Sequence, residues 1–327
     1  MTIVRFAYIT LAVIMFCWPF SHASAQLVIG RYAGEFLSLG AGARALAMGG
    51  ASVASPTPSS AGYYNPSGLV GIERRHVEFM HASQFDNLYT YDYLSFAQPM
   101  EGGLAGALTV LYTRVGDIPI TRLADPSAPL SDANRVIVEK KTGDHELALM
   151  AAAARQLSGG WRVGANAKLL FKTVADESAY GLGLDLGIGR SLGKRFEVGL
   201  AARDLTTSIL AWSTGRTEAI LPSFVVGGAW SCALSSLNAD VTIAADVDAH
   251  FESRGEAESV EAGPLSAEPR VGLEYLIART VALRGGMNGD SPAFGAGLNF
   301  AWIHVNAAFQ DHEDLGFTHR VSLGVTW

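Results

Sequence analysis

Two short runs, Asp144-His145-Glu146 and Asp311-His312-Glu313-Asp314, carry residue types that bind divalent metals. Neighbours in one loop or strand rarely converge on a single ion, and no second cluster stands at ligand spacing, so neither run predicts a metal site. The glycines between Gly181 and Gly189 imitate a dinucleotide loop. Such a loop must open a helix, whereas the residues around these glycines keep a period of two. No Gly-x-Ser-x-Gly elbow is present, and a Ser/His pair on a strand wall would need a geometry that spacing does not encode. The chain is therefore not expected to be an enzyme, and no cofactor is expected.

The chemistry that remains is charge placed in alternation. Arg162, Lys168, Lys172, Asp185, Glu197, Arg203, Asp246, Asp248, Arg270, Glu274, Arg284 and Arg320 all sit in runs whose apolar residues recur at every second position. In Trp161–Leu169 the odd positions are apolar; Tyr180, Leu182, Leu184, Leu186 and Ile188 alternate with Gly181, Gly183, Asp185, Gly187 and Gly189. A period of two marks strands with one apolar face, and runs of ~9–13 residues suit tilted strands that cross a bilayer. The pattern predicts an all-β, transmembrane antiparallel barrel of about fourteen strands (twelve to sixteen), near 76–84, 89–98, 103–114, 144–157, 161–174, 178–192, 195–204, 222–233, 238–250, 268–277, 280–288, 291–300, 302–311 and 317–327. Connections alternate between a set with long members (85–88, 115–143, 175–177, 205–221, 251–267, 289–290, 312–316) and a uniformly short set (99–102, 158–160, 193–194, 234–237, 278–279, 301). Outer-membrane barrels show this asymmetry, with short periplasmic turns and longer extracellular loops. The charges must then face the lumen, because a midplane Arg or Lys on the lipid side costs ~2–4 kcal/mol. Two uses stay open for them: a selectivity-lining channel, or a lattice of ion pairs that stiffens the wall and holds a plug. Their mixed signs favour the lattice.

Composition agrees. The 327 residues include 49% hydrophobic, 17% charged and 36 glycines, with 24 Lys plus Arg against 31 Asp plus Glu and a net charge of −7. Disorder and nucleic-acid binding are excluded by that balance. Arg5, the uncharged run Phe6–Phe20 and Ala23-Ser24-Ala25 read as a signal peptide cleaved near Ala25, which removes Cys17 and leaves Cys232 without an intramolecular partner. The uncharged stretches 45–72 and 219–239 hold too many Pro, Gly, Ser and Asn residues for membrane helices. Val321, Leu323, Val325 and the terminal Trp327 form an alternating last strand ending in an aromatic residue, the form of an outer-membrane assembly signal.

The segment 26–75 differs from the barrel at 76–327, being small, Gly/Ala-rich and unsuited to a long strand. It contains Gly42-Ala43-Arg44-Ala45-Leu46-Ala47-Met48-Gly49-Gly50-Ala51, then Tyr63-Tyr64-Asn65-Pro66-Ser67-Gly68-Leu69. These two stretches resemble the N-terminal signature of the PorV/PorQ family of outer-membrane proteins, relatives of the FadL-type transporters of hydrophobic compounds. Gly116-Asp117-Ile118-Pro119, and Trp212 with Pro222, are similar to that family as well. Ser67 stands where the family usually has Ala. The resemblance covers nearly the whole mature chain and implies a hatch folded into the lumen, with Gly42, Arg44, Met48, Gly49, Gly50, Asn65, Pro66 and Gly68 as its motif. Asn65, Pro66 and Gly68 would shape the turn into the first strand: Pro66 biases Asn65 toward extended geometry, and Gly68 permits positive φ.

The resemblance implies first a docking or shuttle role in protein export and surface attachment of the type IX secretion kind, with secreted cargo or other secretion components as partners. The alternative is a FadL-like transporter of long-chain fatty acids or similar hydrophobic small molecules; a barrel that only anchors a surface complex is a third possibility. Outer-membrane lipid and the barrel-assembly machinery are expected partners in each case, nucleic acid in none. The expected location is the outer membrane, with both termini periplasmic.

Overall fold

The computed structural model describes residues 27–29, 33–84, 88–252, 254, 259–311 and 318–327. Fourteen strands form the wall: β1 His76–Gln84, β2 Tyr89–Met100, β3 Leu104–Leu123, β4 Val136–Gln156, β5 Trp161–Val174, β6 Glu177–Leu192, β7 Phe196–Arg203, β8 Ser223–Leu234, β9 Ala239–His250, β10 Leu265–Ile277, β11 Val281–Asn288, β12 Ser291–Phe300, β13 Ile303–Gln310 and β14 Thr318–Thr326. Each pairs antiparallel with its neighbour in chain order, and β14 closes the barrel on β1 from His319↔Ser83 to Thr326↔His76.

Alternation sorts side chains between two environments. On β9, Asp246 and Asp248 are buried while Ile243 and Val247 are exposed; on β5, Asn166 and Lys168 are buried while Leu169 is exposed. The exposed side carries Phe79, Leu108, Leu149, Leu182, Val226, Leu273, Phe294, Leu298 and Leu323, one or more from most strands. An apolar belt of that extent has no place on a water-soluble monomer, and it matches a lipid-facing surface.

Strand positions follow the period-two pattern closely, but three connections are more ordered than expected. β3 and β4 continue as a paired ribbon past residues 115 and 143, so that only 124–135 remains as the tip of the expected loop. Asp117, with φ 56°, and Pro119 accompany register shifts between Val115 and Ile118 and between Ile120 and Thr121, which break the period in the sequence. Within 205–221 lies a hairpin, Ser208–Trp212 with Thr217–Ile220. Its first strand pairs with the upper part of β6, Ala179↔Trp212 to Leu182↔Ile209, and so continues the wall where β7 stops at Arg203. Within 251–267, Val260–Ala262 folds back on the start of β10.

A further difference concerns the termini. Leu27–Ile29 forms a short parallel strand on Thr217–Ala219, at the mouth that carries the long connections. Trp327 lies at the other mouth, where its backbone exchanges hydrogen bonds with Arg75 (3.0 and 3.1 Å) and its ring lies 6.2 Å from that of Phe96. The expectation that both termini share the periplasmic side is thereby corrected: the segment after the expected cleavage site runs the length of the lumen before β1 begins. Only a backbone partner far along the chain, the 217–219 edge, fixes this, and no local pattern signals it.

Because Leu273 sits on the exposed face midway along β10, Leu273→Arg is expected to lower the folding free energy in lipid vesicles by about 2–4 kcal/mol. Urea titration of refolding into phosphatidylcholine vesicles measures it; an unchanged midpoint would mean that this face does not meet lipid.

Candidate functional site: the hatch in the lumen

Residues 33–75 fill the barrel. Their regular pieces are a 3-10 turn Glu35–Leu37, helix α1 Ala43–Ala47, helix α2 Ala61–Tyr64 and a 3-10 turn Pro66–Gly71. Helices of four or five residues do not persist alone in water, so the wall must hold them. It does so by backbone proximity. The Met48 backbone lies against Gly272 and Gly286, Gly49 against the Met287 backbone, Val53 against Gly199, Pro66 against Gly164, and Asn65 with Pro66 against Gly187; a Cβ at any of these glycines would collide with backbone or, at Gly187, with the Asn65 side-chain oxygen and the Pro66 ring. Gly42, Gly49 and Gly50 take φ of 81°, 63° and 82°, which carry the chain into and out of α1. Met48 is fully buried, with Ala51 and Val53, against Ala201, Val225 and Ala244 of the wall.

Polar groups add specific locks. Arg44 makes a bidentate pair with Glu274 (2.9 and 2.9 Å) and donates to the Ser55 carbonyl (3.1 Å), while Glu274 also accepts from Arg284 (2.5 Å), which donates to Asn306 (2.9 Å). Burial opposes the charge on Arg44, yet the Glu274 carboxylate holds its pKa above the ordinary guanidinium value. Asp246 accepts the Ser52 and Val53 backbone N–H groups (2.6 and 2.8 Å), and Arg320 donates to the Leu39 and Gly40 carbonyls (2.5 and 3.1 Å). Asn65 donates to the Val53 and Ile188 carbonyls (2.8 and 3.1 Å) and accepts from the Ser67 backbone and hydroxyl. Its backbone is extended, φ −158°, as a residue before proline favours. Gly68 does not adopt the positive φ expected of it; it is needed because a Cβ would meet Pro56 Cγ at 2.5 Å.

Of the twelve alternating charges, Asp246 and Arg320 thus hold hatch backbone and the other ten form ion pairs. Lys168 bridges Asp185 and Asp204 (2.7 and 2.6 Å), Arg203 and Arg270 share Asp248 (3.1 and 2.9 Å), Lys172 meets Glu146 (2.5 Å), Arg162 pairs with Glu197, and Arg284 with Glu274. The acids Glu78 and Asp204, and the stacked pair His76 and His304, escaped the sequence reading, and Glu146 entered it only as part of a rejected metal run; the phase of β1, with His76, Glu78, Met80 and Ala82 on one side, was the available signal. Glu78 accepts from Ser59 of the hatch. The Asp144-His145-Glu146 run splits across the wall, with His145 on Tyr112 (2.8 Å) and Glu146 on Lys172. Most of the Asp311–Asp314 run lies outside the described residues.

On one side of the lumen, toward the long connections, hatch and wall pack an apolar cluster. Phe36, 3% exposed, packs in one cluster with Tyr63, Tyr91, Leu111, Leu170 and Leu210, flanked by Leu37, Leu39, Tyr89, Trp212 and Ile220. Tyr63 and Tyr64 meet edge to face, centroids 4.8 Å apart; Tyr63 donates to the Leu37 carbonyl (2.5 Å), and their hydroxyls accept from Gly40 and Ala41 (2.9 Å each). Burial pushes the Tyr64 phenol up to about 12, so both rings stay neutral at ordinary pH. The open spaces have charged side chains at their edges: one of about 50 Å³ beside Tyr63, Tyr64, Arg203, Arg270 and Arg320, one of about 60 Å³ beside Glu35, Arg203, Asp204 and Arg254, and one of about 250 Å³ below the hatch, between Arg44, Glu78, Glu274, His76 and His304. The throat that would suit an apolar ligand is filled by Phe36.

Since Gly272 and Gly286 carry the Met48–Gly49 contact, the pair Gly272→Val and Gly286→Val is expected to expel the hatch while the wall still closes. Protease cleavage within 33–72 and a rise in single-channel conductance, with heat-modifiable migration retained, would show it; unchanged conductance would refute the contact's importance.

No protein-family model and no curated protein matches the sequence. Among solved structures, the CymD monoaromatic hydrocarbon channel is similar to it at 12% identity and a TM-score of 0.60, over 88% of this chain and 98% of that one. The Pseudomonas putida toluene transporter TodX is similar at 13% identity and a TM-score of 0.59 (88% and 99%), and the Ralstonia pickettii toluene transporter TbuX at 13% and 0.55 (88% and 98%). At such identities the likeness is one of fold, that of a fourteen-stranded antiparallel outer-membrane barrel.

Proposed function

We propose that this protein is an outer-membrane channel for hydrophobic small molecules, with its short turns and Trp327 in the periplasm and its long connections outside. The observation that carries this reading is the apolar throat between the long connections and the hatch, where Phe36 stands among Tyr89, Leu210, Trp212 and Ile220 in the place a ligand would take. The fold it shares with hydrocarbon channels supports the same reading. The secretion role, placed first by the PorV/PorQ resemblance, draws no support from those neighbours, which favour transport.

In this reading an apolar molecule enters between the long connections and displaces Phe36. It cannot continue straight down, because the Arg44–Glu274–Arg284 lock closes the way, and parting these ion pairs against an apolar molecule would leave charges desolvated without partners. Passage therefore requires the hatch to shift, and the locks set how readily it does so.

Phe36→Ala should open the throat and strengthen binding of an apolar fluorescent probe by about tenfold, as removal of a buried ring that competes for the site would allow, while Phe36→Trp weakens it. Titration of refolded protein in detergent reads this out. In cells, deletion of the gene should slow uptake of labelled toluene or long-chain fatty acid; unchanged uptake of both, together with equal probe binding by the two variants, would overturn the transport reading.

A further inference from the structure

The short-turn mouth has an uneven charge distribution. On the sector from β4 to β8, Arg155 and Arg190 lie on the lipid-facing side of their strands, in phase with the exposed Ala153 and Ile188. Arg190 stacks over the Trp161 ring at 4.9 Å and pairs across the ladder with Trp161 itself. The next turn adds Lys194 and Arg195, both exposed, just before the exposed Phe196. Among the described residues none of these four cations has a carboxylate within ion-pair distance, whereas Lys140, Lys141 and Arg122 on the long ribbon are paired with Asp176, Asp117 and Glu139. The sole acid in the four neighbouring short turns is Glu101.

A cation on the lipid side of a barrel is costly at mid-depth and nearly free at the headgroup level. Arg155 and Arg190 stand within two residues of their turns, beside the exposed Trp161 and Phe196, aromatic residues of the kind that mark the interface. Four unpaired cations at that depth form a positive belt where phosphate groups of the leaflet lie. The phosphate of a lipid lies at the depth of a lipid-facing arginine two residues above a turn. We propose that this sector of the rim binds anionic phospholipid of the inner leaflet, its phosphate against Arg155, Arg190, Lys194 and Arg195 and its acyl chains against the apolar wall above. The proposal rests on the membrane reading of the barrel, though not on what the channel carries.

The test uses refolded full-length protein in mixed phosphatidylglycerol and phosphatidylcholine vesicles, with bound lipid identified by native mass spectrometry after extraction in detergent. Wild type should retain phosphatidylglycerol in preference to phosphatidylcholine. Attraction near the surface is about fivefold for each basic residue, so Arg155→Gln with Arg190→Gln, Lys194→Gln and Arg195→Gln should erase the preference. Lys194→Glu with Arg195→Glu, in a turn outside the strands, should lower it on the order of twentyfold even if the fourfold variant fails to fold. Raising salt should weaken retention in wild type. Equal retention of both lipids by wild type, an unaltered preference in the turn variant, or displacement of phosphatidylglycerol by lipid A at equal concentration would each overturn the proposal. If wild type inserts into phosphatidylcholine vesicles and still shows no preference, the lipid site alone falls. Failure to insert into any vesicle would instead remove the membrane reading.

Discussion

Backbone lying on backbone is the constraint on which the rest of this structure depends. The lumen of a fourteen-stranded barrel is wide enough to admit a folded segment, but only if the wall gives up side chains where the segment touches it. Gly164, Gly187, Gly199, Gly272 and Gly286 do this from five different strands, each opposite a stretch of hatch at Met48–Gly49, Val53 or Asn65–Pro66. The glycine content of the chain is therefore a packing requirement, and the alanines of α1 meeting Ala308 are the same requirement one carbon larger. A wall built this way loses side-chain contacts between strands, which must be replaced by something else.

The replacement is charge. With lipid outside, the polar wall side chains away from the rims turn inward, where partners must be found among other wall residues or in the hatch. Lys168 with Asp185 and Asp204, and Asp248 with Arg203 and Arg270, rivet neighbouring strands together. Asp246, Arg320 and Glu274 instead hold the hatch, through backbone N–H groups, backbone carbonyls and Arg44. Removing one member of such a buried set typically costs ~3–5 kcal/mol, because the partner is left charged and dry. The two groups of contacts separate two properties, stability of the wall and residence of the hatch, so that one can vary without the other.

Much of this was legible in the residues. A period of two gave the wall strands nearly to the residue, because lipid on one face and a filled lumen on the other impose alternation on every strand, and the inward phase of Asp246, Asp248 and Arg270 followed from the same rule. The hatch was visible as a stretch without that period. Its grip was not, since Arg44 and Glu274 are 230 positions apart and nothing local in either segment names the other. Gly68 shows a subtler limit: a glycine can be required for torsion or for space, and here the Pro56 ring made it space. The ribbon beyond Val115 was hidden because a bulge shifts the phase that would have revealed it.

The path of the hatch has a mechanical consequence. Its C-terminal end is joined covalently to β1 at the short-turn mouth, while its N-terminal end is held at the opposite mouth by a three-residue parallel ladder, Leu27–Ile29 on Thr217–Ala219. A segment fastened at one end can swing aside like a door; one fastened at both yields only when an end is released. The covalent end cannot let go. The ladder can, since each of its few hydrogen bonds contributes only ~0.5–1.5 kcal/mol net. Slack for any movement of the hatch would therefore be drawn from the mouth with the long connections, so the hairpin 208–220, which holds that end, would govern any release of locks that lie deep in the lumen below it.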